Sequence, residues 1–466
     1  MGFLLGILYL VTYYLSPSTV FGPLAHFRIE LIIALLILLV SVPALMRSFI
    51  LKTPQFLALL GLAFATCLSV VIGGHWAKGG VLALLTFIPN AFAFLVVCLH
   101  CKTKKQLQIL VLMLLFVCLF VIGRGYSDLR RGINAAPAAN PGALEAGPNG
   151  PEAAGSPYLL AQESDSGESV NRLRGRGEIN DPNDFSQLLI AVIPLVFIFW
   201  RPKRRAHNLV CVILPVGGLL FGAYLTHSRG FVVAFLAVAF VAARRRIGTL
   251  PALVIVGLFL VAASALQFSG GRAMSAESGA DRTALWGEGL QAFKSHPLFG
   301  VGAGNMPGYT DDGKTVHNSI VVCAAELGTF GFYFWSMFLF SALRDILVIA
   351  SPKKVGEAQP IIEDGPFPRS AWKPEVMDKA EVNRLGHLML LSFTGFLAAG
   401  WFLSRSYVLT LFLLSGMVEV IYQMALRQQM VPPRMRLQRV LVYTVGFAVA
   451  LLVAVYIMLR ILNRVR

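Results

Sequence analysis

QLQILVLMLLFVCLFVIG, residues 106–123, decides the fold class of this chain. These 18 residues carry no charge, and a helix of this length nearly spans the hydrocarbon core of a membrane, which is about 30 Å thick. Lys102, Lys104 and Lys105 precede the run, as is typical of the cytoplasmic end of a membrane helix. The stretch therefore predicts a transmembrane helix.

Twelve further apolar runs lie on either side of this one. Hydrophobic residues make up 56% of the 466 positions and charged residues only 14%, a composition outside the range of soluble globular domains. We predict an all-α polytopic membrane protein with about 12 (12–13) transmembrane helices. The thirteen candidate runs are 2–20, 29–46, 55–72, 79–99, 106–123, 184–200, 207–226, 230–243, 249–268, 317–349, 385–403, 407–426 and 440–460.

Short basic clusters at alternate turns predict the orientation, because Lys and Arg favour the cytoplasmic side. The N-terminus is then inside and two long loops are periplasmic. Thirteen spans would place the basic C-terminal tail outside, against this rule, so either 12 or 13 runs cross. The clusters are Arg47 with Lys52, Lys102–Lys105, Arg201–Arg205, Arg244–Arg246 and Arg427–Arg439.

The net charge of +16 is explained by these loops, and no stretch interleaves basic and aromatic residues, so we predict no nucleic-acid partner. Ala, Pro, Gly, Ser and Glu dominate residues 132–170, which we interpret as a disordered linker without chemistry. The predicted segments are N-terminal membrane helices (1–123), a partly disordered periplasmic loop (124–182), central helices (183–268), a periplasmic catalytic loop (269–316), one helix (317–349), a cytoplasmic loop (350–383) and C-terminal helices (384–466).

Polar residues gather at the predicted outer ends of the membrane helices. These polar residues come from five separate segments that end at the same level of the membrane. They therefore predict a site on the outer face. The residues are Arg176, Asp181, Asn183 and Asp184; Ser228 and Arg229; Arg272 and Arg282; His317 and Asn318; and Ser404, Arg405 and Tyr407.

Structural alternatives exist for most of these residues. Asp181 before Pro182 is a typical helix start, and we interpret Asp181, Asn183 and Asp184 as mostly structural. His317 and Asn318 are also compatible with a solvated helix start. Arg229 and Arg405 are compatible with a snorkelling side chain and with a charge that ends a helix, respectively.

Three neighbouring features lie around His317. Glu326 follows it by nine residues, about 13 Å along a helix and on its opposite side, so we predict a structural hydrogen bond for Glu326 and exclude it as the orienting carboxylate. Asp281–Phe293 predicts an amphipathic surface helix with Trp286 as a membrane-interface anchor. The glycines of HPLFGVG, 296–302, predict a tight turn against other backbone, since no strand precedes them as in a dinucleotide motif.

In their order and spacing, the motifs of residues 176–335 resemble the O-antigen ligase and polymerase superfamily of bacterial membrane enzymes. The long loop at 132–170 departs from the family pattern and leaves acceptor recognition open. The resembling stretches are NDPNDF (180–185), THSRG (226–230), Arg282 with Trp286, HPLFGVG (296–302) and VHNS (316–319) leading into ELG (326–328).

The resemblance implies a fold similar to the glycosyltransferase C class and a ligase at the periplasmic face of the bacterial inner membrane. Such enzymes move a preassembled glycan from undecaprenyl diphosphate to an acceptor hydroxyl, here of a lipid A core sugar. The resemblance implies that His317 is catalytic and that Arg229 and Arg282 bind the diphosphate, while His296 belongs to the turn. Arginine suits a developing phosphate charge, and imidazole suits proton removal near neutral pH.

We add Arg405 as a third candidate for the diphosphate, with Asp181, Asn183, Asn318 and Arg176 in support. No carboxylate cluster of metal-binding spacing occurs on the predicted outer face apart from Asp311-Asp312, so we predict an inverting, metal-independent transfer without cofactors. Three alternatives stay open: a polymerase of the same superfamily, a protein O-oligosaccharyltransferase, and a lipid-linked oligosaccharide transporter.

Overall fold

The computed structural model describes residues 2–17, 29–46, 48–135, 155–163, 169–265, 276–351 and 377–464. These ranges are almost entirely helical. Their α-helices are α1 (Gly2–Leu15), α2 (Ile29–Met46), α3 (Pro54–Gly73, with a π-helical end), α4 (Ala77–His100), α5 (Lys104–Arg130), α6 (Pro182–Val196), α7 (Arg205–Leu225), α8 (Arg229–Ile247), α9 (Thr249–Ala265), α10 (Ala276–Ser295), α11 (Ser319–Ile349), α12 (Lys379–Gly400), α13 (Leu409–Arg427) and α14 (Leu437–Arg464).

Eight helices in the described ranges are long and apolar enough to cross a membrane, and three shorter apolar helices accompany them. Each of the thirteen apolar runs overlaps a helix within the described ranges. The prediction of an all-α polytopic membrane protein is confirmed. The eight are α3, α4, α5, Pro182–Phe199, α7, α11, α13 and Leu437–Ile461; the shorter ones are Gly2–Leu15, Leu31–Met46 and Thr249–Val261.

The core surrounds α13, which is almost wholly buried, whereas α14 exposes residues such as Val442 along one side. Helices in a membrane associate through close packing, since lipid tails are as apolar as leucine. Phe94 of α4, Phe338 of α11 and Phe412 of α13 meet with ring centroids 5.2–5.4 Å apart. This aromatic cluster holds three helices together between the two ends of the bundle.

A buried ionic network joins α3, α11 and α13 near the ends that are predicted to be cytoplasmic. Arg434 pairs with Glu419 and lies 3.6 Å from Asp345. Asp345 also pairs with Arg344 at 2.6 Å and accepts a hydrogen bond of 2.9 Å from Gln55. Arg434 belongs to the basic cluster Arg427–Arg439, which predicts the orientation in the membrane. Its buried ion pairs give it a structural role as well.

α11 is interrupted at Gly328, whose φ of 63° is left-handed. The HPLFGVG loop completes the interruption: Val301 and Gly302 donate to the carbonyls of Ala325 and Glu326, at 2.9 and 3.1 Å. In return, the N–H groups of Thr329 and Phe330, just beyond the break, donate to the carbonyls of Pro297 and Leu298. The predicted tight turn against other backbone is confirmed.

A two-stranded antiparallel hairpin, β1 (Leu159–Glu163) and β2 (Ser169–Leu173), lies within and beyond the stretch predicted to be a disordered linker. For residues 159–163 the prediction of disorder is wrong, because alternating partners from 169–173 satisfy their backbone groups. Residues 136–154 and 164–168 lie outside the described residues.

Candidate active site

A cavity of about 650 Å³ opens at the end of the bundle where α6, α8 and α11 begin. Its volume is within the usual range of small-molecule sites. Residues of the outer end form one part of its wall and residues of α3, α4, α11 and the start of α13 form another. The outer part includes Asp181, Asn183, Asp184, Thr315, His317, Ser404 and Arg405; the inner part includes Thr66, Thr86, Phe87, Asn90, Glu326 and Tyr407.

His317 lines this cavity at the residue before the cap of α11. Its backbone is left-handed, with φ of 51°, and its N–H donates to the Ser404 hydroxyl at 2.8 Å. That hydroxyl in turn donates to Thr315 at 2.7 Å, so the turn is fixed on both sides. Within the described part of the chain the imidazole has no hydrogen-bond partner, which leaves its nitrogens available to a ligand.

Burial lowers the pKa of His317 below its usual 6.5, and the nearby charges of Arg282 and Lys314 lower it further. Asp181 opposes this shift by raising the pKa. The imidazole is therefore neutral at neutral pH and can accept a proton.

Arg282 lies near His317, and Arg229 lies near Arg282; neither arginine is among the residues that line the cavity. Arg229 is the first residue of α8, after the fully buried Ser228, and Arg282 lies on α10 with its guanidinium 6.0 Å from the Phe402 ring. Burial lowers the pKa of Arg282, and the charge of Arg229 lowers it further. No carboxylate among the described side chains pairs with Arg282. Two neighbouring guanidinium groups in such a place attract an anion.

Arg405 is held differently, because its Nε donates to the carboxylate of Asp184 at 2.7 Å. The pair joins the turn between α12 and α13 to the first turn of α6. Asp184 is buried, so its charge offsets that of Arg405 within the cavity wall.

Asp181 and Asn318 are both helix caps, as the structural alternatives predicted. Asp181 accepts from the N–H of Asn183 at 2.7 Å, and Asn318 accepts from Ile320 and Val321 at 3.0 and 3.1 Å. Asp181 also lines the cavity, whereas Asn318 is fully buried beneath His317.

Arg172 of β2 is a site residue that the sequence analysis missed. It is buried, and it donates to Asn183 at 3.0 Å and to the carbonyl of Thr226 at 2.8 Å. Ser228 donates to the same Asn183 oxygen at 3.0 Å. Arg172 lies just beyond residues 132–170, the stretch interpreted as a linker without chemistry, and it supports the site from the end of the predicted periplasmic loop. Three arginines at 172, 174 and 176 on a predicted outer loop were the available signal.

Three other residues singled out in the sequence do not line the cavity or lie outside the described residues. Arg176 is buried with its guanidinium 5.6 Å from the Tyr158 ring. His296 contacts Ser295 and Tyr309, and it is not part of the cavity wall. Arg272 lies outside the described residues.

The prediction that Trp286 anchors the protein at the membrane interface is wrong. α10 exists, but Trp286 is only 2% exposed and packs edge-on against Trp401, with centroids 6.3 Å apart. The indole turns inward because α10 lies against α11 and carries its apolar side toward the bundle.

Glu326 makes the predicted structural hydrogen bonds, accepting from Tyr407 at 3.4 Å and from the N–H groups of Gly304 and Met306. Both Glu326 and His317 line the cavity, and Glu326 is not among the charges that shift the His317 pKa. The helical spacing rule does not apply, since α11 begins only at Ser319.

Residues 214–336 match the family model for O-antigen ligase. The match covers 123 of the 466 residues, so the likeness to this family applies to that segment. The resemblance to this superfamily is confirmed, and the match supports a ligase- or polymerase-like glycan transferase in general, a family for which lipid-linked glycans are the implied substrates. No curated protein matches the chain.

The matched segment contains Arg229, Arg282, His317 and Glu326. The rest of the cavity wall comes from outside it, from α3, α4, α6 and the α12–α13 turn. The site is therefore assembled from the matched segment and from helices on both sides of it.

Proposed function

We propose that the protein transfers a preassembled glycan from undecaprenyl diphosphate to a hydroxyl of a lipid A core sugar, at the periplasmic face of the bacterial inner membrane. One observation carries the proposal. The neutral imidazole of His317 lines a large cavity and lies near the guanidinium group of Arg282, which in turn lies near that of Arg229.

His317 would remove the proton from the acceptor hydroxyl as its oxygen attacks the anomeric carbon of the donor sugar. The bond from that carbon to the diphosphate oxygen breaks, and its electron pair leaves with the diphosphate. Direct displacement inverts the anomeric configuration.

Arg229 and Arg282 would meet the negative charge that develops on the departing diphosphate. Burial strengthens this interaction, and removal of one such donor costs about 10²- to 10³-fold in rate. Arg405 is a weaker candidate, because Asp184 already offsets its charge.

A polymerase would use the same groups, since the matched family supports ligase- and polymerase-like transfer alike. Glycan analysis of a deletion strain separates the two. A ligase defect leaves lipid A core without polymer and accumulates lipid-linked polymer, whereas a polymerase defect leaves only short units on the core. Unglycosylated protein would instead indicate the protein O-oligosaccharyltransferase.

The histidines provide a matched pair of variants for the mechanism. His317→Ala is expected to lower transfer to lipid A core at least about 10²-fold, the usual contribution of a general base. His296→Ala should retain activity, because His296 lies outside the cavity wall. The assay is transfer by membranes of a complemented deletion strain, with expression checked by immunoblot.

Full activity of His317→Ala would contradict the proposal and favour a transporter, which needs no base. Equal losses of transfer activity in His317→Ala and His296→Ala would show that His317 is not distinguished as the base.

A further inference from the structure

We propose that the inner part of the cavity, walled by Thr66, Asn90 and Glu326, binds the sugar of the hydroxyl acceptor, while the donor diphosphate lies outside the cavity at Arg229 and Arg282. The inference rests on the proposed function and assigns the two substrates to opposite sides of His317.

The charge of the cavity wall excludes the diphosphate. Among the described lining residues, Asp181, Asp184 and Glu326 carry carboxylates and Arg405 is the one arginine or lysine. Arg405 is already paired with Asp184 at 2.7 Å. A diphosphate placed here would meet the carboxylates of Asp181 and Asp184 without a free cation to offset its charge, whereas a neutral sugar would carry no charge for them to oppose.

Asn90 supplies the positive evidence for a hydroxyl-rich ligand. It lines the cavity, is only 5% exposed, and its side-chain oxygen is buried without a partner among the described residues. Its amide nitrogen reaches only the carbonyl of Thr86, at 3.5 Å. An unpaired buried acceptor costs about 1–3 kcal/mol, so a ligand hydroxyl that donates to it would remove this cost.

The neighbours of Asn90 complete a sugar-binding wall. Thr66 donates its hydroxyl to Leu62 at 2.8 Å and keeps lone pairs that can accept from a ligand. Glu326 offers carboxylate oxygens on the facing helix, and Phe87 offers a ring that packs edge-on against Phe412. An amide, a hydroxyl, a carboxylate and an aromatic ring suit the hydroxyl groups and C–H face of a sugar.

This arrangement fits displacement with inversion. The attacking oxygen and the leaving oxygen must lie on opposite sides of the anomeric carbon. In the proposed arrangement the acceptor approaches from the cavity and the diphosphate leaves toward Arg229 and Arg282, which are not lining residues. His317 lines the cavity and lies near Arg282.

The test measures the binding of each substrate separately to the full chain in nanodiscs. The probes are fluorescently labelled lipid A with its core oligosaccharide, and undecaprenyl diphosphate. Asn90→Leu and Thr66→Val should weaken binding of the core oligosaccharide about 2- to 10-fold, the equivalent of one neutral hydrogen bond, and leave binding of undecaprenyl diphosphate unchanged. Arg282→Ala should do the reverse.

Thr444→Val is the matched control for Thr66→Val. Thr444 is also a buried threonine whose hydroxyl donates to the carbonyl four residues earlier at 2.8 Å, but it lies on α14 away from the cavity. It should change neither affinity. Because each site variant keeps its affinity for the other probe, that affinity also reports correct folding.

The inference is overturned if Asn90→Leu weakens undecaprenyl diphosphate instead, if neither affinity changes, or if the unaltered chain does not bind the core oligosaccharide. Transfer by the unaltered chain is scored in parallel. The expected binding pattern without any transfer would refute the proposed function and leave the acceptor site in place.

Discussion

At the scale of the residue, the chemistry depends on the protonation of His317. Burial, Arg282 and Lys314 lower its pKa, and Asp181 raises it. A general base must be neutral to accept a proton, so kcat/KM is expected to fall as the pH decreases through this lowered pKa.

The acid limb of the pH profile is the pH range over which kcat/KM falls as the pH decreases. Two substitutions should move this limb in opposite directions. Asp181→Asn removes the group that raises the pKa of His317, so the limb should move to lower pH, and asparagine still caps α6. Lys314→Met removes a group that lowers the pKa, so the limb should move to higher pH. The measurement is the pH profile of kcat/KM for the purified protein. Limbs that stay together, or shift in the same direction, would contradict the role of His317 as the base.

Some site residues could be found from the sequence and others could not. His317, Asn183 and Arg282 stand out because polar residues beside membrane helices are conspicuous, and the ordered motifs resemble a known superfamily. The pairing of Arg405 with Asp184 joins residues 221 positions apart, which no local pattern encodes. Arg172 was hidden because the Ala- and Pro-rich composition before it suggested disorder, while β2 is ordered by its pairing with β1.

At the scale of the element, the junction between the HPLFGVG loop and α11 positions the site. The glycines of the loop predict the turn, whereas the apolar run 317–349 predicts one continuous helix. Backbone hydrogen bonds between distant segments replace the missing helical bonds at Gly328, and apolar periodicity does not reveal such replacements.

Gly300→Ala is expected to destabilise this junction strongly. The residue has a left-handed φ of 72°, and an added Cβ would collide with the backbone of Glu326. Strain and overpacking together should cost on the order of 2–4 kcal/mol. Gly304→Ala is the control, since its φ of 79° is similar but nothing lies within 4 Å of the added atom. Apparent Tm in detergent should fall far more for the first variant, and equal decreases would refute the predicted collision.

At the scale of the whole molecule, the buried network of Arg434, Glu419 and Asp345 fastens the end of the bundle opposite the cavity. Glu419→Ala would leave Arg434 buried without its nearest carboxylate. Such a loss typically costs about 3–5 kcal/mol.

The double variant Glu419→Leu with Arg434→Met should recover most of that stability, because replacing both charges removes the desolvation cost. Lys314→Ala, which breaks the exposed pair with Asp312, should change stability by less than about 1 kcal/mol. Thermal unfolding in detergent provides the comparison. A double variant as unstable as the single one would show that packing, not charge, maintains this region.

The predicted orientation can be tested with single cysteines at two exposed positions, Lys314 and Arg245. Lys314 lies beside His317, and Arg245 lies at the far end of α8. A membrane-impermeant maleimide added to intact spheroplasts should label position 314 only, in a background with the partly accessible Cys67 and Cys211 replaced by serine. Labelling of position 245 from outside would reverse the proposed topology.

The cavity wall draws on residues from Thr66 to Val408. Membrane helices leave the ribosome in order, so the enclosure is incomplete until the turn after α12 has been synthesised and Arg405 can reach Asp184. A nascent chain that stalls before this turn has His317 but lacks part of the surrounding wall.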